Sequence, residues 1–286
     1  MLKKLLSICL LMPTLVMASG DLCDPKTSTI GDCVMEINKR IKKLEKENQA
    51  LKMRLFLTDG LVAYYPFNGN ANDVSGNGNH GTEHGNINYV QGKYGQAANF
   101  DGVNAYIQIT PKSDVSKIGN FTIVTWVFLE GWKKQNPDRQ YIFDGHTHSS
   151  TTTSDFYRPG FGLIYDRRAS YEEIHNFIFY DSDRFSEQNT QVSIGRNWHQ
   201  LLFMRKGKDD FTYFDGELLP ATHSRKKAID EALNMAHNWF IGTFSGNNPH
   251  YNQGKLNYSF FGIIDEFRIY NRALTDVEIK SLYKQR

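Results

Sequence analysis

Cysteine is scarce in this sequence, and the positions of its few copies limit the role of disulfides. Three cysteines occur in 286 residues. Cys9 lies in an apolar N-terminal segment, while Cys23 and Cys33 precede the main body of the chain. The main body is therefore predicted to fold without disulfides. Two thiols in an exported protein are expected to pair, and the sequence leaves open whether Cys23 and Cys33 do so within one chain or between two.

The chain also lacks an excess of either charge. It has 33 Lys and Arg residues against 31 Asp and Glu residues. Removal of Lys3 and Lys4 with an N-terminal leader would leave 31 of each. A protein without net charge has no long-range field that attracts nucleic acid or an anionic membrane surface. We therefore expect no nucleic-acid partner.

Long hydrophobic runs are absent except for Leu5–Met17, which is too short to cross a bilayer as a helix. This run follows Lys3 and Lys4 and precedes the small residues Ala18-Ser19-Gly20, which is the order expected of a signal peptide. We predict a signal peptide over residues 1–20, cleaved near Gly20. The mature protein is expected to be secreted or periplasmic and to have no membrane span.

Motifs of common catalytic sites are absent as well. No Gly-x-Ser-x-Gly nucleophile elbow or phosphate-binding loop occurs. His146 and His148 have the spacing of a zinc-binding pair, but the helical alternation of a metal-dependent hydrolase barrel is missing. Asp265 and Glu266 are adjacent and so point to opposite faces of a strand, whereas a retaining glycosidase holds two carboxyl groups about 5 to 5.5 Å apart in one cleft. We predict that the protein is not an enzyme.

A heptad repeat begins directly after Cys33, behind a short cysteine-containing segment at 21–33. Over residues 34–57, seam positions recur at spacings of three and four, at Val34, Ile37, Ile41, Leu44, Asn48, Leu51 and Leu55. This pattern predicts a parallel coiled coil that forms a homo-oligomer. Mostly β-branched a positions and Leu-rich d positions favour a dimer over a trimer, and Asn48 fixes the register. The alternative is a single amphipathic helix that packs on its own domain.

Beyond Leu61 the chain alternates between short apolar segments and turn residues, which is typical of an antiparallel β-protein. Asp-Gly pairs at 101–102, 144–145 and 215–216 predict tight hairpin turns. Short helices are predicted at Ala228–Ala236 and at the C-terminus, where Thr275 and Glu278 form a capping box. The predicted strands are Leu61–Phe67, Ala97–Asp101, Ala105–Ile109, Phe121–Leu129, Gln140–Asp144, Phe161–Asp166, Ile174–Tyr180, Trp198–Lys206, Phe211–Phe214, Trp239–Phe244 and Phe260–Tyr270. Residues 61–286 are therefore predicted to form one all-β domain, a large antiparallel sandwich.

The segment Leu61–Gly81 joins an apolar strand to a loop that is rich in side-chain oxygens. These come from Asn68, Asn70, Asn72, Asp73, Ser75, Asn77 and Asn79. Calcium binds six to eight oxygens in loose geometry and often combines carboxylates with amide and backbone carbonyls. The loop is therefore predicted to hold calcium. The alternative is that its Asn and Gly residues only build turns.

Five segments of the chain, taken in order, carry a family pattern. They are Leu61–Gly81 with its Asp-x-Ser-Gly-Asn-Gly loop, Ala97–Ile109 with Phe-Asp-Gly, Phe121–Phe128 with a central Trp, Trp198-His199 with the hairpin Tyr213–Gly216, and Phe261–Tyr283. Together they resemble the laminin-G-like branch of the concanavalin A-like lectin/glucanase superfamily. The resemblance implies a two-sheet jelly-roll sandwich, here preceded by a coiled-coil helix and closed by a short C-terminal helix.

The same resemblance implies a binding role outside the cell, often with a structural calcium ion. Asp73 and Asp265 match acidic positions of the family and are candidate calcium ligands, with Asn77 and Ser75 as further candidates. Glu266 and Arg268 are expected to have structural roles. Trp126, Trp198 and Trp239 lie on predicted strands and are expected in the core.

Carbohydrate binding is the predicted function. A sugar ring has an apolar face and a rim of hydroxyl groups, so that flat aromatic side chains with polar neighbours suit it. The candidate ligand-binding residues lie in three distinctive segments, at Trp132, Tyr157, Arg158, His250 and Tyr251. We expect a secreted or periplasmic oligomer that binds a glycan or cell-surface polymer. A protein-binding adhesion or assembly factor is the alternative, and a glycoside hydrolase is the third hypothesis.

Overall fold

The computed structural model describes residues 29–112, 119–134, 138–145, 160–167, 171–179, 185–221, 223–227, 238–244 and 258–284, and the structural statements below concern these residues. The chain divides into two units, residues 1–57 and residues 58–286. The predicted signal peptide, Cys23 and the predicted helix at 228–236 lie outside the described residues.

Helix α1 spans Ile30–Thr58 and covers the heptad repeat. It begins with a capping box, in which the Thr29 hydroxyl accepts the Asp32 N–H at 3.2 Å and the Asp32 carboxylate accepts the Thr29 N–H at 3.1 Å. The predicted N-terminal helix is confirmed, whereas its pairing with a second copy stays a prediction. The disulfide between Cys23 and Cys33 also stays a prediction, because only Cys33 lies in the described part of the helix.

Within the described residues, sixteen strands, numbered in chain order, form two antiparallel sheets. Sheet A has the order β13 (Glu217–Leu219), β12 (Asp209–Phe214), β11 (Trp198–Lys206), β6 (Phe121–Leu129), β16 (Phe261–Tyr270), β4 (Gln96–Asp101) and β3 (Asn88–Gln91), with β1 (Leu61–Tyr65) paired to β16. Sheet B has the order β14 (His223–Lys227), β10 (Phe185–Gln191), β9 (Glu172–Phe179), β8 (Gly160–Arg167), β7 (Arg139–Asp144), β15 (Trp239–Ile241), β5 (Tyr106–Ile109) and β2 (Gly81–His84). The predicted two-sheet sandwich is confirmed.

The hydrophobic core lies between the two sheets and takes alternate residues of each strand. On β6 these are Phe121, Ile123, Val127 and Leu129. Because side chains alternate along a strand, Trp126 on the same strand points away from the core. We call this opposite side the outer face of sheet A.

A second helix, α2, spans Asp276–Lys284 and packs on the outer face of sheet A. Its Tyr283 ring stacks on Trp126 with ring centroids 5.6 Å apart. The predicted capping box is confirmed, since the Thr275 N–H donates to the Glu278 carboxylate at 2.7 Å. Helix α2 therefore covers part of the surface that Trp126 presents.

The predicted turns have mixed outcomes. Asp215 and Gly216 adopt φ angles of 52° and 78° between β12 and β13, as a two-residue hairpin turn with two positive φ angles requires. The tight turn predicted at residues 144–145 is wrong. Gly145 instead donates its N–H to the Phe161 carbonyl at 2.9 Å, so it still pairs with β8.

Neither helix of the described chain is long and apolar enough to cross a membrane.

Candidate functional site

The loop after β1 is organised around the carboxylate of Asp73, which is buried. One oxygen accepts the N–H groups of Tyr64 at 3.0 Å and Ser75 at 2.8 Å. The other accepts the N–H of Asn79 at 2.9 Å and the Ser75 hydroxyl at 2.9 Å. Both oxygens of the carboxylate are therefore occupied by protein donors.

The neighbouring amides are also bonded to protein. The Asn77 side-chain amide donates to the Leu61 carbonyl at 2.8 Å, and the Asn79 side-chain amide donates to the Val62 carbonyl at 2.9 Å. The side-chain oxygen of Asn79 accepts the Lys112 N–H at 3.0 Å. A calcium ion would have to displace several of these donors from Asp73, so the loop in this geometry does not fit the ion. In the described parts of the chain, no group of three or more His, Cys, Asp and Glu side chains is placed to hold a metal.

Asp265 lies on β16 and is joined to a different turn, so the structure does not bring it into the Asp73 cluster. One of its oxygens accepts the Tyr94 N–H at 2.9 Å. The other is buried and has no hydrogen-bond partner among the described residues. Burial raises the pKa of Asp265 to about 7; the Tyr94 hydrogen bond opposes this rise, and the charge of Glu266 adds to it.

A β-bulge follows Asp265, where the pairing of β16 with β6 shifts register before Arg268. Glu266 in the bulge has a φ angle of 54°. Its carboxylate pairs with the Arg268 guanidinium and accepts the Tyr64 hydroxyl at 2.8 Å. The Arg268 guanidinium lies 4.0 Å from the centre of the Tyr64 ring. Glu266 and Arg268 thus have the structural roles expected of them.

Aromatic residues gather around Trp126 on the outer face of sheet A. Tyr283 stacks on its ring, Tyr94 approaches edge-on with ring centroids 6.0 Å apart, and the Lys93 ammonium lies 4.3 Å from the ring centre. Lys93 and Tyr94 come from the turn between β3 and β4. No sequence pattern indicates this cluster, because its members lie on three separate segments that only the tertiary fold brings together.

The predicted core positions of the tryptophans are corrected in part. Trp239 belongs to the core. Trp126 is buried, but on the outer face rather than between the sheets. Trp198 is only half-buried and packs against Phe128 with ring centroids 5.8 Å apart. It starts β11 on the outer face, so that alternation turns it away from the core.

Of the candidate ligand-binding residues, only Trp132 is described. It stacks on Tyr165 with ring centroids 5.5 Å apart, and the Arg167 guanidinium lies 4.8 Å from its ring centre. Tyr157, Arg158, His250 and Tyr251 lie outside the described residues. The ligand-binding role of this set stays a prediction.

The heptad seam of α1 presents a row of exposed apolar side chains in the single chain. Val34, Ile37, Ile41, Leu44 and Leu51 are between 46% and 62% exposed. Asn48 is exposed as well, and Leu55 has a side chain outside the described set. An exposed apolar stripe on a helix of 29 residues is a surface that a partner helix would bury.

Comparison with known proteins identifies the class. A laminin-G-type family profile of the concanavalin A-like lectin/glucanases superfamily matches residues 101–280, which is more than half of the chain. The protein therefore belongs to this superfamily, and the resemblance seen in the sequence is confirmed. A comparison with curated proteins gives no match.

Solved structures share the fold at low sequence identity. Domain 4 of AbnA, a GH43 extracellular arabinanase from Geobacillus stearothermophilus in complex with arabinotriose, is 22% identical with a TM-score of 0.57, and the match covers 78% of this chain and 98% of that domain. The binding domain of botulinum neurotoxin DC in complex with SialylT is 14% identical with a TM-score of 0.58 over 79% of this chain.

The neurotoxin DC binding domain in complex with rat synaptotagmin II is 13% identical, with a TM-score of 0.54 over 79% of this chain. The present chain spans about half of these toxin domains, 51% of each. At such identities the similarity shows the fold alone.

Proposed function

We propose that this protein is a secreted or periplasmic carbohydrate-binding protein, presented as an oligomer by its N-terminal helix. The observation that carries the proposal is membership of the concanavalin A-like lectin/glucanases superfamily over residues 101–280. The matched arabinanase domain was solved with arabinotriose, and one matched toxin domain with SialylT. The predicted signal peptide supports the location outside the cytoplasm.

Oligomerisation would add avidity to weak sites. The exposed apolar seam of α1 supports a coiled coil, with a dimer favoured over a trimer. Joining weak sites raises overall affinity by about 10² to 10⁴ when the ligand is a repeating polymer. We therefore expect a repeating glycan or surface polymer as the ligand, and an interchain bridge of Cys23 or Cys33 would stabilise the short coil.

Protein binding is the second candidate function. A neurotoxin binding domain, of which the match covers 51%, was solved in complex with rat synaptotagmin II, and this supports a protein partner as the second hypothesis. In this case the sandwich would recognise a protein on a cell surface, and the coiled coil would still make the recognition multivalent.

Our proposal includes no catalysis. The two adjacent acids of β16 have other partners, since Glu266 pairs with Arg268 and Asp265 accepts the Tyr94 N–H. The expectation that these acids point to opposite faces is wrong, because the β-bulge turns Glu266 toward Tyr64 and Arg268 on the same outer face as Asp265. The Glu266 carboxylate is instead held in its ion pair with Arg268. Incubation with polysaccharides and a reducing-sugar assay tests this part, and sugar release above that of a heat-denatured control would make the protein an enzyme.

A glycan array probed with the purified oligomer tests the main proposal. Binding to a discrete set of glycans is the expected result. A blank array together with saturable binding to a cell surface that proteolysis abolishes would favour the protein-binding alternative and contradict carbohydrate recognition.

A further inference from the structure

Three neighbouring strands place a polar residue, a tryptophan and a carboxylate in one row on the outer face of sheet A. Gln200 on β11 lies directly opposite Trp126 on β6, and Trp126 lies directly opposite Asp265 on β16. Residues that are paired in this way share one face of the sheet. Gln200 and Asp265 therefore flank Trp126 on its two sides.

Both flanking residues carry unsatisfied polar atoms. The side-chain oxygen and nitrogen of Gln200 and one oxygen of Asp265 are buried and have no hydrogen-bond partner among the described residues. Gln200 is 1% exposed and Asp265 is 0% exposed. A buried polar atom without a partner is unfavourable and rare in native structures, and here such atoms occur on both sides of one tryptophan. Donor and acceptor groups of this kind are what a hydroxyl-rich ligand satisfies, since each hydroxyl both donates and accepts.

The adjoining row supplies apolar surface. Trp198, Phe128 and Ile263 lie opposite one another on the same three strands and are all half-buried. An aromatic surface of this kind suits the apolar face of a sugar ring. The next strand, β4, adds Asn99, which lies opposite Ile263 and has a side-chain oxygen without a hydrogen-bond partner among the described residues.

This area is covered in part by helix α2, whose Tyr283 stacks on Trp126, and in part by Lys93 and Tyr94 of the turn between β3 and β4. Lys93 is exposed, and its ammonium lies 4.3 Å from the centre of the Trp126 ring. A lysine side chain has a flexible four-carbon stem, so it can leave the ring without a backbone change. Burial raises the pKa of the Asp265 carboxyl group and favours its neutral form, and Gln200 and Asn99 are uncharged, so the buried hydrogen-bonding groups suit a ligand without charge.

We infer that a binding site for a neutral sugar lies on the outer face of sheet A, with Gln200, Asp265 and Asn99 as hydrogen-bonding groups and with Trp198 and Phe128 as the stacking surface. This inference rests on the proposed carbohydrate-binding function and gives it a location. None of the residues of this site belongs to the set Trp132, Tyr157, Arg158, His250 and Tyr251 that was predicted from the sequence.

The substitution Gln200→Leu tests this site without loss of folding. Leucine removes the amide and keeps much of the volume, and the removal of an unpartnered buried polar group leaves stability unchanged or higher. Thr190→Val is the matched control, because Thr190 is buried on β10 of sheet B and its hydroxyl also has no hydrogen-bond partner in the described chain. Both variants are made in the full oligomer, and thermal unfolding establishes that each is folded.

The binding measurement is an NMR titration with neutral trisaccharides of gluco, galacto, manno and arabino configuration. The expected result is that a sugar bound by the wild type and by Thr190→Val is bound about tenfold or more weakly by Gln200→Leu. Equal binding by Gln200→Leu, or equal weakening in both variants, would overturn the location and leave the proposed function standing. If none of these sugars binds to the wild type while a glycan array shows binding, the neutral-sugar site is contradicted and the proposed function stands; if the array is blank as well, both are contradicted.

Discussion

The carboxylate of Asp73 accepts the backbone N–H of Tyr64 at 3.0 Å, which ties the loop after β1 back to the end of that strand. The same carboxylate accepts three further hydrogen bonds, from the Ser75 N–H, the Ser75 hydroxyl and the Asn79 N–H. One side chain thus satisfies three backbone N–H groups that the curved loop would otherwise leave without partners.

Asp73→Ala is predicted to destabilise the sandwich by about 2 to 4 kcal/mol. The N–H groups of Tyr64, Ser75 and Asn79, which are part-buried or buried, lose their acceptor. Each unsatisfied buried group costs about 1 to 3 kcal/mol before the loop relaxes. Chemical denaturation measures the loss. Asn72→Ala in the same loop is the control, because the Asn72 side chain is exposed and such changes fall within about 0.5 kcal/mol. Equal stabilities of the two variants would refute the structural role of Asp73.

Calcium is predicted to leave the melting temperature of the wild type unchanged. Both Asp73 oxygens already accept protein donors, so the ion finds no free carboxylate in this loop. A ligand that binds only the native state stabilises it by about 2.7 kcal/mol at a hundredfold excess over Kd. Melting in excess calcium and in chelator therefore resolves the question. A higher melting temperature in calcium that Asp73→Asn abolishes would restore the calcium site expected from the sequence.

Asp265→Asn is predicted to have a higher free energy of unfolding than the wild type, and this difference is expected to grow as the pH rises. Burial raises the pKa of Asp265 from 3.8 to about 7, so the folded protein favours the neutral acid. The wild type therefore loses stability as the pH rises from about 4 to 7. The difference in the free energy of unfolding between the two proteins reaches its full value, at most about 4 kcal/mol, above pH 7. Asparagine does not titrate. Denaturation of both proteins at pH 5 and pH 8 measures the effect, and a pH-independent difference would contradict the raised pKa.

The double substitution Leu44→Asp and Leu51→Asp is predicted to give a folded monomer. Both leucines occupy d positions of the exposed seam, and buried charges there oppose helix pairing. The sandwich has its own core and should keep its melting transition. Sedimentation of the wild type and the variant, under reducing and oxidising conditions, gives the masses. A monomeric wild type, or a variant of unchanged mass, would exclude the coiled coil.

Strands that are rich in β-branched and aromatic residues could be predicted from the sequence. The predicted bounds agree with the structure at Phe121–Leu129 and Trp198–Lys206. Both segments are rich in the residue types that favour a strand. The strands Phe185–Gln191 and Asn88–Gln91 were missed. Their polar sequences have little intrinsic preference for a strand, and pairing with β9 and β4 holds them there.

The candidate site was harder to predict than the fold. The sequence singled out Asp73 and Asp265, but their hydrogen-bond partners come from residues that only the folded chain brings near. The bulge at Glu266 depends on the pairing of β16 with β6, which a single strand does not encode. Gln200 carried no local signal at all, since its significance lies in its position beside Trp126.

The measurement that tests the central claim most directly is a glycan array probed at equal protomer concentration with the wild-type oligomer and with the Leu44→Asp, Leu51→Asp variant. The account predicts the same discrete glycans for both proteins, with binding by the monomeric variant weaker by about 10² or more on dense surfaces. An array on which neither protein binds any glycan, under conditions in which both are folded, would contradict the account.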